Sequence, residues 1–231
     1  MRSCAGIRCS GAQLAIDDNQ RSREAVLARV RAALGRHGPD DEPRAAAHAY
    51  LVARRQGPRP ELPADLAQRF LQRAADMSST TARIDAIEQA PAAVARYLDH
   101  AAVRAVCWPE LAMLDWRGAG IDVDVRPASG DDMIGITDCF CAIAETGTLV
   151  FASGIDSPPA TFLLPETHVA IVRADQIVAG MEEAFARLRA ERGALPRAVN
   201  LVSGPSRTGD IEQTIVLGAH GPRRVHIVLV G

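Results

Sequence analysis

The sequence predicts an α/β protein: a mostly parallel sheet with helices on both faces, led by a helical N-terminal arm. Three observations carry this. Short, continuous apolar runs recur through the C-terminal two thirds of the chain, helical segments separate them, and the residues before 78 show helical periodicity instead. Strands buried on both faces read as unbroken apolar runs, and helices between such runs are the mark of a parallel sheet covered on both sides.

Taken in order, the opening MRSCAGIRCSGAQLAIDDNQ lacks the sustained apolar stretch of a signal peptide. Residues 1–20 are expected to be a disordered extension or to reflect a mis-assigned start. Residues 21–77 form the expected arm. Val26, Leu27, Val30 and Leu34 recur at helical spacing after Ser22, which predicts an amphipathic helix ending near Gly35. HGPDDEP, 37–43, reads as a polar linker, Ala45 to Arg55 as a second short helix, and QGPRPELP, 56–63, as a break. Ala64 to Met77 reads as a third helix with Leu66, Phe70 and Leu71 on one face.

Residues 78–231 are expected to form the α/β core. Its strand candidates are 81–84, 105–108, 123–125, 134–137, 148–151, 168–172, 198–202 and 226–230; its helices are Pro91 to His100, Asp175 to Glu191 and Asp210 to Leu217. Sheets of this kind receive ligands beyond the carboxyl ends of their strands, where the strand order switches.

Composition narrows the chemistry. At 231 residues the chain can bury one sizeable core with an appendage. Its apolar runs are strand-sized, so no membrane span is expected. A net charge of -2 offers no clustered basic excess, so nucleic acid is not an expected partner. Every one of the 26 basic side chains is arginine, which rules out a lysine Schiff base, PLP attachment and a P-loop lysine. Cys4, Cys9, Cys107, Cys139 and Cys141 have neither disulfide-scaffold nor ferredoxin spacing and read as reduced cytoplasmic thiols. The C-x-C of Cys139 and Cys141 has no finger-spaced companion, so no metal site is predicted. GxGxxG after the first strand, GxSxG and HExxH are all absent from the sequence.

Two polar, glycine-bearing segments stand out among the strands. In AIAETGTLVF, 142–151, Glu145 sits between apolar neighbours and is a candidate acid, base or nucleophile. The plainer reading makes it an acceptor of backbone hydrogen bonds in a tight turn, with Gly147 supplying unusual dihedrals. Thr146 and Thr148 have hydroxyls suited to a ligand or to local backbone. In NLVSGPSRTGDIEQTIVLGAHGP, 200–222, a strand leads through Ser203, Gly204, Ser206, Arg207 and Thr208 toward a predicted helix, presenting amides, hydroxyls and a guanidinium to a carboxylate or phosphate. Against this, Asp210 with Gln213 matches a capping box that would already fill the helix end. Glu212 either lines the site or complements the helix dipole, and His220 is either catalytic or a charge partner at a helix C-terminus. His168 and His226 open strands and read as packing residues.

These two segments resemble the signature of the LUD (lactate-utilisation) domain family, most closely its lactate-utilisation protein C branch. ITDCFCAIAETGTLV, FLLPETHVAIVRADQIV and HIVLV fall in the same order, so the resemblance runs from about Ser22 to Gly231. It implies a core like those of sugar-phosphate isomerases and CoA transferases. It also implies a part in bacterial oxidation of L-lactate to pyruvate beside iron-sulfur partner proteins, with no cofactor in this chain. The Glu-Thr-Gly run is similar to the Glu-x-Gly turn that carries the glutamate nucleophile of CoA transferases. The alternative is an enzyme or sensor for a small acid, CoA ester or sugar phosphate, with Glu145, Thr146, Ser206, Arg207 and His220 in one pocket.

Overall fold

The computed structural model describes residues 10–35, 41–99, 103–208 and 216–231. The chain divides into two compact units, 1–57 and 58–231. The first contains α1 (Ser10–Ala33) and α2 (Asp41–Ala53). α1 therefore begins within the stretch expected to be disordered, and α2 takes in the end of the expected linker. α3 (Leu66–Asp76) lies in the second unit, with Phe70 and Ala74 fully buried. It opens on Asp65, whose carboxylate accepts the Gln68 N–H at 2.9 Å and satisfies one of the helix's free amides.

There follow β1 (Thr80–Ile84), α4 (Ala90–Tyr97), β2 (Val103–Cys107), β3 (Ile121–Val125), β4 (Ile134–Thr137), β5 (Cys141–Ile143), β6 (Thr148–Ala152) and α5 (Ala160–Leu163). The chain continues through β7 (Thr167–Arg173), β8 (Ile177–Val178), α6 (Met181–Arg192), β9 (Val199–Val202), β10 (Arg207–Thr208), β11 (Val216–Leu217) and β12 (Arg224–Val230).

Six strands form a parallel sheet in the order β1-β12-β7-β4-β2-β3. β7 shows why its sequence is a continuous apolar run. Val169 and Ile171 join the layer of α4, Leu111 and Trp116, whereas Ala170 and Val172 point into the opposite layer with Phe70, Leu149 and Phe151. With both faces dry, alternation has no polar side to display.

The second face is roofed by α3 and by another sheet, ordered β8-β5-β6-β9. That sheet's outer side packs on α6 through Cys141, Ile143, Val150 and Ala184. Runs 148–151 and 198–202 are thus strands of the covering sheet, paired antiparallel as β6 and β9.

Two expected helices are corrected. Within 175–191, Ile177 and Val178 pair with Ala142 and Ile143 as β8, and the helix starts only after Gly180, whose extended backbone makes the N-cap. The β-branched pair prefers the sheet edge to a helical turn. At the end of the expected 210–217 helix, Val216 and Leu217 pair antiparallel with Thr208 and Arg207; residues 209–215 lie outside the described residues. The helix expected over 91–100 ends at Tyr97, and His100 lies outside the described residues. Among the described residues no helix is long and apolar enough to cross a membrane, and no cluster of His, Cys, Asp and Glu is placed to hold a metal ion.

Two histidines are built into the central sheet. His168 Nε2 lies 2.9 Å from Thr137 Oγ1, and His226 Nδ1 lies 2.8 Å from Thr80 Oγ1, with Tyr97 stacked on its ring at 3.9 Å. Burial pushes the His168 pKa down to about 3 and that of His226 down to about 4. Both rings therefore fold neutral, while the unfolded chain takes up protons below about pH 6.5. Their contribution to stability is complete above that value and is lost as pH falls toward the folded pKa values. Urea unfolding should show a loss of roughly 1–2 kcal/mol per histidine between about pH 7 and pH 5; an unchanged midpoint would mean that the rings charge inside the native state.

Candidate functional site

The two polar segments meet where the β5–β6 turn faces the chain leaving β9. Pairing sets Leu149 opposite Val202, so the next residues outward, Thr148 and Ser203, are also brought together. Thr148 Oγ1 lies 2.7 Å from Ser203 Oγ and 2.6 Å from Thr146 Oγ1. Each hydroxyl has one proton to donate, so two bonds among three hydroxyls leave one O–H free in the row. Thr148 is buried, Thr146 half-buried and Ser203 exposed. The row can therefore carry a donor from the interior to the surface, which suits contact with an oxyanion or relay of a proton.

Two glycines set this geometry against the end of α3. Gly147 has φ +69°, and a Cβ there would stand 2.4 Å from the Ala74 backbone nitrogen; Gly204 has φ +80°, and a Cβ would stand 2.1 Å from the Met77 carbonyl oxygen. Both positions demand the left-handed region and the closest backbone approach, which only glycine supplies. Arg207 tightens the same contact. Its guanidinium donates to Met77 O at 3.2 Å and to Ser78 Oγ.

These contacts revise the expected anion site. Arg207 uses its Nη2 in fastening the loop, and the Ser206 N–H already donates to Pro222 O at 2.9 Å. Thr208 belongs to the β10 hairpin strand. Asp210, Glu212 and the capping box with Gln213 lie outside the described residues. The loop also rests on Met77, Ser78 and Pro222, the residues that lead into β1 and β12. It covers the amino ends of those strands rather than their carboxyl ends.

Glu145 is half-buried. Its N–H donates to Ala179 O at 3.0 Å, and a Cβ on Gly180 would lie 3.0 Å from both a Glu145 carboxylate oxygen and an Arg59 guanidinium nitrogen. Arg59 is held by Glu182 at 2.6 Å and by Glu183 at 2.6 Å, and these bonds keep both carboxyls below their usual range. Glu145 thus belongs to a polar cluster at the start of α6, whose macrodipole favours a carboxylate. Sequence reasoning passed over Arg59 because the prolines of QGPRPELP read as a break.

His220 is exposed beyond β11, and its side chain makes no hydrogen bond to any described residue. Thr146, Gly147, Thr148, Ser203 and Gly204 are assembled into one place, with Ser206 and Arg207 bordering it. No contact among the described residues joins His220 to Glu145.

The shared hydrogen bond is open to a double-mutant cycle. Thr148→Val and Ser203→Ala should each destabilise the fold by about 1 kcal/mol in urea, and the double variant should fall short of their sum by a similar amount. Strict additivity would mean that the two hydroxyls do not share a bond.

Comparison with known proteins fits this arrangement. A family model described as LUD domain matches residues 73–230, which include every strand of both large sheets and both polar segments. A Deinococcus radiodurans protein named Lactate utilization protein C is 34% identical over 181 residues, covering 75% of this chain and 84% of that one. A protein of the same name from Bacillus subtilis (strain 168) is 38% identical over 100 residues, 42% of each chain, so this chain spans less than half of that relative's length. The crystal structure of a DUF162 family protein from Deinococcus radiodurans matches with a TM-score of 0.55 at 27% identity, over 74% of this chain and 100% of that chain. From its fold, its two meeting segments and these matches, the chain belongs to the LUD domain family.

Proposed function

We propose that this protein acts in bacterial L-lactate utilisation, as a component without its own cofactor that works beside iron-sulfur partner proteins carrying the electrons from lactate to their acceptor. The observation that carries this reading is the Deinococcus relative named Lactate utilization protein C, matched over 84% of its length. The family match over residues 73–230 supports it, because the matched region contains the hydroxyl row and the two glycines that shape it.

A second reading makes the protein an enzyme or sensor for a small acid, CoA ester or sugar phosphate. The bond between Thr148 and Ser203 favours it, since it brings two segments far apart in sequence into one place with a free donor. Glu145, lying against Gly180 and the start of α6, would serve this reading as a carboxylate beside the row.

Growth on L-lactate separates the two. In a strain lacking the gene, the wild-type chain should restore growth, which its failure would count against for both readings. Glu145→Gln and Thr148→Val, checked for equal folded protein, should also restore growth if the protein only assembles partners, and should fail if the row and carboxylate act on a ligand. Anaerobic co-purification of iron-sulfur proteins with the tagged chain is expected under the first reading.

A further inference from the structure

A crevice opens at the other end of the central sheet from the hydroxyl row, at the carboxyl ends of its strands and on the face roofed by the second sheet. β2 hands the chain to β3 on one side, whereas the chain leaving β4 returns to β7 on the other. β2 and β4 are neighbours, so the strand order switches between them, and a parallel sheet leaves an opening at such a point. The cavity there measures about 210 Å³ and is lined by Trp108 and Glu110 after β2, Asp138 after β4, and Gln176 after β7. That is below the roughly 300–1,000 Å³ of pockets for drug-sized ligands, so the opening suits a molecule of a few carbons.

The polar groups facing it are unevenly satisfied. Arg187 is engaged by Glu191 at 2.6 Å and by Asp175 O at 3.3 Å, and Gln176 is fixed by Cys139 O and the Arg173 N–H. Asp138, by contrast, is half-buried and makes no hydrogen bond to any described residue; its nearest cation is Arg173 at 4.0 Å. Arg192 stands over the Phe140 ring at 5.9 Å, with no hydrogen bond from its guanidinium to any described residue. The rim thus presents guanidinium donors and two carboxyl groups without a hydrogen bond to any described residue, the exposed Glu110 and the half-buried Asp138, to the same small space.

We propose that this crevice binds a small hydroxy- or oxo-carboxylate, its carboxylate held by Arg192 and Arg173 and its hydroxyl or carbonyl oxygen against Asp138. A guanidinium fork matches a carboxylate in two parallel bonds, and a carboxyl group that can gain a proton can donate to the second oxygen. The chemistry accords with the charge balance. Of the lining residues, Arg187 and Arg192 face Glu110, Asp138 and Glu191; Arg173, outside the lining but 4.0 Å from Asp138, brings the balance to neutral, so one added proton on Asp138 tips it toward an anion. Burial first, then the negative charge of Glu110, raises the Asp138 pKa to about 6. The inference rests on the lactate reading only for the choice of acids to test.

Binding can be followed on the full chain, labelled with ¹⁵N, through the Trp108 indole N–H signal assigned with Trp108→Phe. L-lactate or pyruvate should shift that signal at about pH 5.5, acetate should shift it much less, and Arg192→Ala should weaken the effect. Because the carbonyl oxygen of pyruvate can only accept, it needs the protonated form of Asp138, and pyruvate affinity in the wild type should fall about 25-fold between about pH 5.5 and pH 7.5. Asp138→Asn, which mimics the protonated group, should bind at the higher pH as the wild type does at the lower, with no slope. The proposal is overturned if neither acid moves the Trp108 signal, if acetate binds as well as both, or if Asp138→Asn retains the pH dependence. Growth on lactate can succeed while these titrations fail, which would remove this site and leave the pathway reading intact.

Discussion

A parallel sheet whose inner strands β4, β7 and β12 are buried on both faces cannot leave either face to water. In this fold α4 and the segment around Trp116 roof one side, while the other is closed by α3 together with a sheet of four strands. That second roof fixes the functional geometry. To reach the core, Leu149 and Phe151 of β6 must point inward. This sets the register with β9 and brings Thr148 to Ser203. The polar row is therefore a by-product of covering the sheet, and its position follows from hydrophobic packing before any ligand is considered.

Much of the central sheet was legible because its strands obey one simple rule. β7 and β12 are unbroken apolar runs, and Val169 to Val172 fill two opposite layers as such runs require. Strand order was not legible, because long-range pairing leaves no local trace in a run such as Arg224–Val230. β8 was hidden by its neighbours. Ile177 and Val178 stand directly before a segment rich in helix formers, and two residues of sheet carry little signal. The fate of Val216 and Leu217 was equally obscure, since their partners are only Arg207 and Thr208.

The candidate site was half legible. Thr146, Gly147, Thr148, Ser203 and Gly204 could be chosen from their residue types, but their meeting depends on the β6–β9 register, and the glycines' tight approach depends on α3. Arg207 shows a second use that residue type does not disclose: a guanidinium near a Gly/Ser loop serves equally to clamp an anion or to cap carbonyl oxygens, and Met77 O and Ser78 Oγ were available. Asp138 went unnoticed beside Cys139 and Cys141, because neighbours in sequence disclose neither the switch in strand order nor the nearness of Arg173. The hydroxyl row and this carboxyl group stand at opposite ends of the β5–β6 hairpin, separated by roughly 13 Å of strand.

The bond between Thr148 and Ser203 spans 55 residues. In between come α5, β7, β8 and α6, so a chain emerging from the ribosome can complete the β5–β6 hairpin long before β9 exists to receive it. Until then Thr148 has only Thr146 for company, and one long edge of β6 is open. Closure of that edge and assembly of the polar row are the same event, so the site waits on β9, together with the protection of a strand that would otherwise recruit stray chains.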